Sequence, residues 1–104
     1  MESREIYNRS RRTIDWEQNW IHIGTGNKVK EKLIEETIKE IFSHQDYIML
    51  KRGRRDSKVI QISQAKTRIL NLIGIEDFEL WDKDFERAIK FNKIGVLLKS
   101  KYAI

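Results

Sequence analysis

Residues 47–62 read Tyr-Ile-Met-Leu-Lys-Arg-Gly-Arg-Arg-Asp-Ser-Lys-Val-Ile-Gln-Ile, and the prediction of the fold starts from this segment. Two apolar runs, 47–50 and 59–62, flank a polar loop that contains one glycine. Short β-forming runs joined by such a loop are typical of a β-hairpin. Five of the eight loop residues 51–58 are Lys or Arg, so the sequence predicts a strongly cationic hairpin tip.

A helix and a short strand are predicted before the hairpin. Residues 28–44 carry apolar side chains on one face and charged side chains on the rest, with the 3.6-residue period of an amphipathic helix. Asn27 precedes this segment in the position of an N-cap. The alternating pattern of residues 20–23 indicates a short strand.

After the hairpin, the pattern predicts two more helices and a strand. The first helix covers residues 63–73 and ends at Gly74, and the second covers residues 82–94 with Asp82 as its cap. Residues 96–98 predict a final strand. We expect three aromatic side chains near the second helix to pack in the core rather than form a partner site: Phe78, Trp81 and Phe85.

The order of these elements predicts the fold class. It indicates an α+β (or α/β) fold in which a small sheet is built on a central β-hairpin and three helices pack against it. A chain of 104 residues is long enough for one domain. We divide it into a basic N-terminal arm at residues 1–15, which includes Arg4, and a single α+β domain at residues 16–104.

Composition narrows the expected cellular setting. The chain has no cysteine, which excludes disulfides and thiolate metal sites. It has no apolar run long enough to span a bilayer, and its charged N-terminus lacks the apolar core of a signal peptide. We therefore expect a cytoplasmic protein that is intracellular, is not secreted and has no membrane partner.

The net charge of +5 favours a partner that carries phosphates, so the predicted partner is nucleic acid, either DNA or RNA. The predicted nucleic-acid-binding residues belong to the loop and to the arm: Lys51, Arg52, Arg54, Arg55, Lys58, Arg9, Arg11 and Arg12. The alternative is a solvated turn that protects an edge strand from aggregation. Aromatic residues interleave with these arginines and either stack on bases or serve as core or dimer contacts: Tyr7, Trp16 and Trp20.

One register of the hairpin would bring an acid, an amide and a lysine together. If Arg52 faces Lys58, Asp46 lies opposite Gln64 on the same face of the hairpin, with the two Cβ atoms about 5 Å apart. Lys66 continues that face if the strand persists. A carboxylate and an amide oxygen suit Mg²⁺, which would lower the pKa of a bound water, while a lysine would stabilise the developing charge.

Asp46, followed after the turn by Gln64-Ala65-Lys66, resembles the PD-(D/E)XK nucleases in the Gln-x-Lys variant of Mrr-like restriction enzymes. The resemblance implies that Asp46 and Gln64 bind Mg²⁺ and that Lys66 assists the attacking water. It also implies that Glu31, in the preceding helix, joins them. The alternative places Gln64 and Lys66 in the first turn of the following helix, exposed and without a catalytic role.

Three functions remain open at this point. The first is a Mg²⁺-dependent nuclease that acts alone or as a homodimer. The second is a non-catalytic regulatory protein that binds DNA or RNA and grips phosphates with the basic loop. The third is a small protein–protein interaction or inhibitor module. The nuclease hypothesis depends on whether Asp46 and Gln64 are neighbours across the hairpin.

Overall fold

A computed structural model describes residues 1–101 of the chain and confirms the predicted α+β class, with three α-helices and a six-stranded antiparallel sheet in that range. The helices are α1 (Ser3–Arg9), α2 (Glu31–Phe42) and α3 (Ala65–Leu72). The strands are β1 (Ile21–His22), β2 (Tyr47–Lys51), β3 (Lys58–Gln61), β4 (Phe78–Trp81), β5 (Ala88–Asn92) and β6 (Val96–Lys99). Among these described residues, no helix has the length and apolar character needed to cross a bilayer.

The sheet has the strand order β1-β6-β5-β4-β2-β3, and each neighbouring pair is antiparallel. Side chains alternate between the two faces along each strand, so each face is covered separately. α2 and α3 cover one face, where Ile34 and Ile69 pack in one cluster with Ile48, Leu80 and Ile89 of the sheet. All five side chains are fully buried, and this layer is the larger of two apolar cores.

The N-terminal residues cover the second face of the sheet. α1 contributes Ile6 to a smaller core that contains Met49 and Trp81, and all three side chains are buried. Trp16 packs edge-to-face on Trp81, with the ring centroids 6.3 Å apart. The segment predicted as a basic arm therefore contains a helix that packs against the sheet.

Most local predictions on either side of the hairpin are confirmed. The apolar face predicted for α2 is the buried one, and it carries Ile34, Thr37, Ile38, Ile41 and Phe42. α3 ends two residues before Gly74, whose φ of +84° is a left-handed conformation that glycine adopts without strain. Strands β1 and β6 also lie where the sequence predicts them.

The helix predicted over residues 82–94 is wrong, because this segment holds a turn followed by β5. Asp82 caps no helix there, since its Oδ1 accepts hydrogen bonds from the backbone N–H groups of Glu86 (2.7 Å) and Arg87 (3.0 Å) in the turn after β4. β5 pairs with β4 on one side and β6 on the other, so sheet pairing overrides the local helical pattern. The nearby aromatic side chains are buried as predicted: Phe78, Trp81 and Phe85.

The hairpin of β2 and β3 lies at one edge of the sheet rather than at its centre. β3 is the edge strand, and β2 joins the rest of the sheet by pairing with β4. The centre is formed instead by β4 and β5, and β5 lies in the segment for which the sequence predicts a helix. The basic loop between β2 and β3 consequently lies beside an open edge of the sheet.

Candidate nucleic-acid interface

A buried serine side chain closes the loop between β2 and β3. Ser57 is 3% exposed, and its Oγ donates a hydrogen bond to the carbonyl of Gly53 (2.8 Å) and accepts one from the backbone N–H of Arg52 (3.1 Å). The backbone N–H of Asp56 also donates to the carbonyl of Gly53, which forms a turn. These hydrogen bonds order the loop backbone, while the side chains at its tip remain exposed.

The start of α1 is attached to this loop through one side chain. Ser3 Oγ donates to the carbonyl of Arg54 (2.8 Å) and accepts a hydrogen bond from the backbone N–H of Ser57 (2.8 Å). Ser3 and Arg54 are 51 positions apart in the sequence, so the contact joins the two basic segments of the chain. It places Arg4 of α1 beside Arg54 and Arg55 of the loop.

These three arginines line a pocket of about 430 Å³, which we name the arginine cleft (Arg4, Arg54 and Arg55). All three are exposed, and none of them forms an ion pair within residues 1–101. Glu2 also lines the pocket, so the arginines outnumber the acid. Arg4 was not among the residues predicted to contact nucleic acid. The only sequence feature that could have identified it is its position in the basic N-terminal segment.

Two of the predicted nucleic-acid-binding residues already have acidic partners. Arg52 Nε donates to Glu76 Oε1 at 2.9 Å. Lys51 Nζ lies 3.7 Å from Glu79 Oε1 and 5.5 Å from the centroid of the Tyr7 ring. Because their charges are partly neutralised within the protein, these two side chains offer less to a phosphate than the arginine cleft does.

The remaining predicted cations are exposed: Lys58, Arg9, Arg11 and Arg12. Arg9 lies with its guanidinium 4.5 Å from the centroid of the Phe85 ring, a cation–π contact that fixes the side chain near the second face of the sheet. Lys58 begins the edge strand β3. Charges available to a phosphate therefore extend beyond the arginine cleft along the loop and the N-terminal segment.

The predicted pairing of Asp46 with Gln64 is wrong. The observed register pairs Leu50 with Lys58, and the backbone N–H of Ile62 donates to the carbonyl of Asp46. Each residue of β2 therefore pairs with a residue of β3 two positions earlier in the sequence than predicted. The loop between the strands is longer than predicted because the buried Ser57 closes it. A shift of two keeps every strand residue on its predicted face, so the alternation of the hairpin is retained.

Gln64 does not extend β3 either. It is the last residue of a 3₁₀ turn, Ile62–Gln64, that leads into α3, and it is exposed. No group of three or more Asp, Glu or His residues in the described part of the chain is arranged to hold a metal ion. Asp46 and Gln64 therefore lack the direct cross-strand pairing on which the predicted Mg²⁺ site depended.

Two of the predicted catalytic residues do meet. Lys66 Nζ in α3 lies 3.2 Å from Glu31 Oε1 and 2.6 Å from Glu35 Oε1 in α2. Glu35 was not predicted, although it lies one helical turn from Glu31 on the same face. The hydrogen bond from Lys66 holds the pKa of Glu35 below its ordinary value, and the hydrogen bonds to Glu35 and Glu31 raise the pKa of Lys66. The three partly exposed side chains form a surface ion-pair network between the two helices.

Lys66→Met should lower the melting temperature by about 1–4 °C near pH 7, because it removes this network. The raised pKa of Lys66 means that the network stabilises the fold below the ordinary lysine pKa of about 10.4 and ceases to do so as the pH rises through the higher folded value. The lowered pKa of Glu35 means that stabilisation is present above the ordinary glutamate pKa of about 4.3 and is lost as the pH falls through the lower folded value.

Thermal melts followed by circular dichroism at several pH values measure this effect. The difference between Lys66→Met and the wild type should shrink as the pH falls through the lowered pKa of Glu35. Lys83→Met is the control, since Lys83 is exposed and has no ion pair within residues 1–101. Equal losses for both variants at pH 7 would contradict the prediction.

Comparison with known proteins identifies no relative. The chain matches no protein-family model, no curated protein and no solved structure. The resemblance to the PD-(D/E)XK nucleases stays a prediction from a few residues. Charge and geometry at the arginine cleft are therefore the strongest indications of function.

Proposed function

We propose that the protein binds the phosphates of DNA or RNA through the arginine cleft, without cleaving them. The observation that supports this is the arrangement of Arg4, Arg54 and Arg55, three exposed arginines from distant segments with no acidic partner within residues 1–101. The planar guanidinium group binds phosphate oxygens through two parallel hydrogen bonds. Three such groups in one cleft suit a polyanion better than a single anion.

The electrostatics of the cleft favour the same partner. Because like charges repel, the three arginines destabilise one another in the free protein, and a bound polyanion removes that repulsion. Each neutralised phosphate also releases condensed counterions, which adds a favourable entropy. The Ser3 and Ser57 hydrogen bonds order the loop before a ligand arrives, so less conformational freedom is lost on binding.

The geometry favours binding over hydrolysis. Asp46 and Gln64 do not face each other across the hairpin, and Lys66 is already ion-paired with two glutamates. The proposed function accordingly contains no metal-dependent step. It corresponds to the second of the three functions considered from the sequence.

Fluorescence anisotropy with labelled duplex DNA and labelled single strands at several salt concentrations tests the proposal. For the duplex, a plot of log K against log salt should be linear with a slope of about −2.7 or steeper, since each of three neutralised phosphates contributes about −0.9. Absence of binding at low salt, or a slope near zero, would contradict the proposal. Mg²⁺-dependent cleavage that Lys66→Ala abolishes would replace it with the nuclease hypothesis.

A further inference from the structure

A second pocket lies at the base of the basic loop, where the ends of β2 and β5 meet the start of β4. It has a volume of about 380 Å³, within the size range of small-molecule sites. We name it the Trp20 pocket, and its lining includes the indole ring of Trp20, the amide of Asn92, three cations and two carboxylates: Lys51, Arg52, Lys90, Asp77 and Glu79.

Trp20 differs from the other two tryptophans in being open to a ligand. It is 45% exposed, whereas Trp81 is buried in the second core and Trp16 packs edge-to-face against it. Lys90 Nζ lies 4.4 Å from the centroid of the Trp16 ring, so that ring also has a cationic partner. Within residues 1–101, no aromatic ring or cation stacks on Trp20. Its indole ring is therefore free to take a ligand.

Polar groups around the pocket can orient a planar ligand. Asn92 Oδ1 accepts a hydrogen bond from the backbone N–H of Ile94 at 3.1 Å, which leaves its Nδ2 amide group to donate to an acceptor in the pocket. Lys51 is paired with Glu79, so this pair offers both a donor and an acceptor without adding net charge. Such groups can form hydrogen bonds with the edge of a nucleobase while the face of that base stacks on the indole ring.

The Trp20 pocket and the arginine cleft are lined by nearby residues of the same loop. Arg52 lines the pocket and Arg54 lines the cleft, and these residues are two positions apart, so their Cα atoms are separated by at most about 7 Å. A strand whose phosphates occupy the cleft can therefore place a neighbouring base in the pocket. In a duplex, that base is paired and stacked within the helix and cannot reach the ring.

We infer that the Trp20 pocket binds an unpaired base, so that the preferred ligand is single-stranded nucleic acid. This inference rests on the proposed function, because the arginine cleft supplies the phosphate contacts. The base contributes stacking on Trp20, which every base offers through its π face, so the preference is for strandedness rather than for sequence. The pocket thus adds specificity to a cleft that by itself recognises only charge.

A comparison of single strands with duplexes of the same length tests the inference. Trp20→Ala should weaken the binding of oligo-dT by about 5- to 150-fold, because it removes the stacking of one base, and should leave duplex binding unchanged. Trp20→Phe retains an aromatic face and should recover most of the affinity. The salt slope should not change in either variant, because no phosphate contact is removed.

Tyr47→Ala is the matched control. Tyr47 is also an exposed aromatic residue, at 41%, but it begins β2 whereas the pocket lies at the end of that strand, about 13 Å away. This variant should bind both ligands as the wild type does. Thermal melts of all three variants show whether the fold is retained, and the surface position of Trp20 makes a large change unexpected.

The outcomes separate this inference from the proposed function. Equal affinity for the two ligands, together with no effect of Trp20→Ala, would overturn the base pocket but leave phosphate binding at the arginine cleft intact. If the folded wild-type protein binds neither ligand at low salt, both proposals fail. Equal losses for single strand and duplex in Trp20→Ala would also overturn the inference, because a duplex offers no unpaired base.

Discussion

Replacing Arg54 and Arg55 together with alanine will weaken the binding of nucleic acid by about 10- to 100-fold at low salt and reduce the salt slope by about 2. Both residues line the arginine cleft, and neither has an acidic partner within residues 1–101. The fold should be retained, since the loop is held by backbone groups and by the side chains of Ser3 and Ser57. Anisotropy titrations at several salt concentrations measure both effects.

The control for this experiment is a variant that loses the same charge elsewhere. Lys32→Ala with Lys39→Ala also removes two exposed cations, but they lie on α2, which covers the opposite face of the sheet from α1. We expect this double variant to bind within about threefold of the wild type. If the two double variants lose equal affinity, binding depends on net charge and the arginine cleft has no special role.

Ile6→Ala will lower the free energy of unfolding by about 2–4 kcal/mol. Ile6 is fully buried in the smaller core, where α1 packs on the second face of the sheet against Trp81 and its neighbours. Truncation removes apolar contacts and leaves a cavity that the surrounding rings cannot fill without moving. Urea denaturation followed by circular dichroism measures the change.

Ile75→Ala is the control for this stability measurement. It makes the same substitution at a side chain that is 70% exposed, so the free energy of unfolding should change by less than about 0.5 kcal/mol.

The comparison also tests the function of α1, because loosening this helix frees Arg4 from its place beside Arg54. Ile6→Ala should therefore weaken nucleic-acid binding as well. Equal, small effects of the two variants would show that α1 does not belong to the cooperative fold.

The local sequence pattern correctly predicted the elements whose main contacts are with residues nearby in the chain. The spacing of Ile34, Ile38 and Ile41 predicts the buried face of α2, because a helix brings residues three and four apart onto one side. The hairpin of β2 and β3 follows from two apolar runs and a short polar loop that contains a glycine. The position of Gly74 predicts the end of α3, because the chain there adopts a left-handed conformation.

Local pattern failed where long-range pairing decided the outcome. Residues 82–94 have a helical spacing of apolar side chains, yet β5 forms there because β4 and β6 pair with it on both sides. The observed register of the hairpin differs by two residues from the predicted one. The buried Ser57 side chain closes a longer loop than the sequence pattern predicted. No property of either strand by itself reveals where that side chain packs.

The net charge of the protein, the amphipathic helix α2 and the cationic tip of the hairpin can be predicted from local sequence, because they depend on residues close together in the chain. Contacts made in three dimensions place Arg4 beside Arg54 and Arg55, put Gln64 in a 3₁₀ turn instead of strand β3, and leave Trp20 exposed. Each of these depends on contacts between segments far apart in sequence, and the free energy of such contacts is set by packing and hydrogen bonding that local periodicity does not encode.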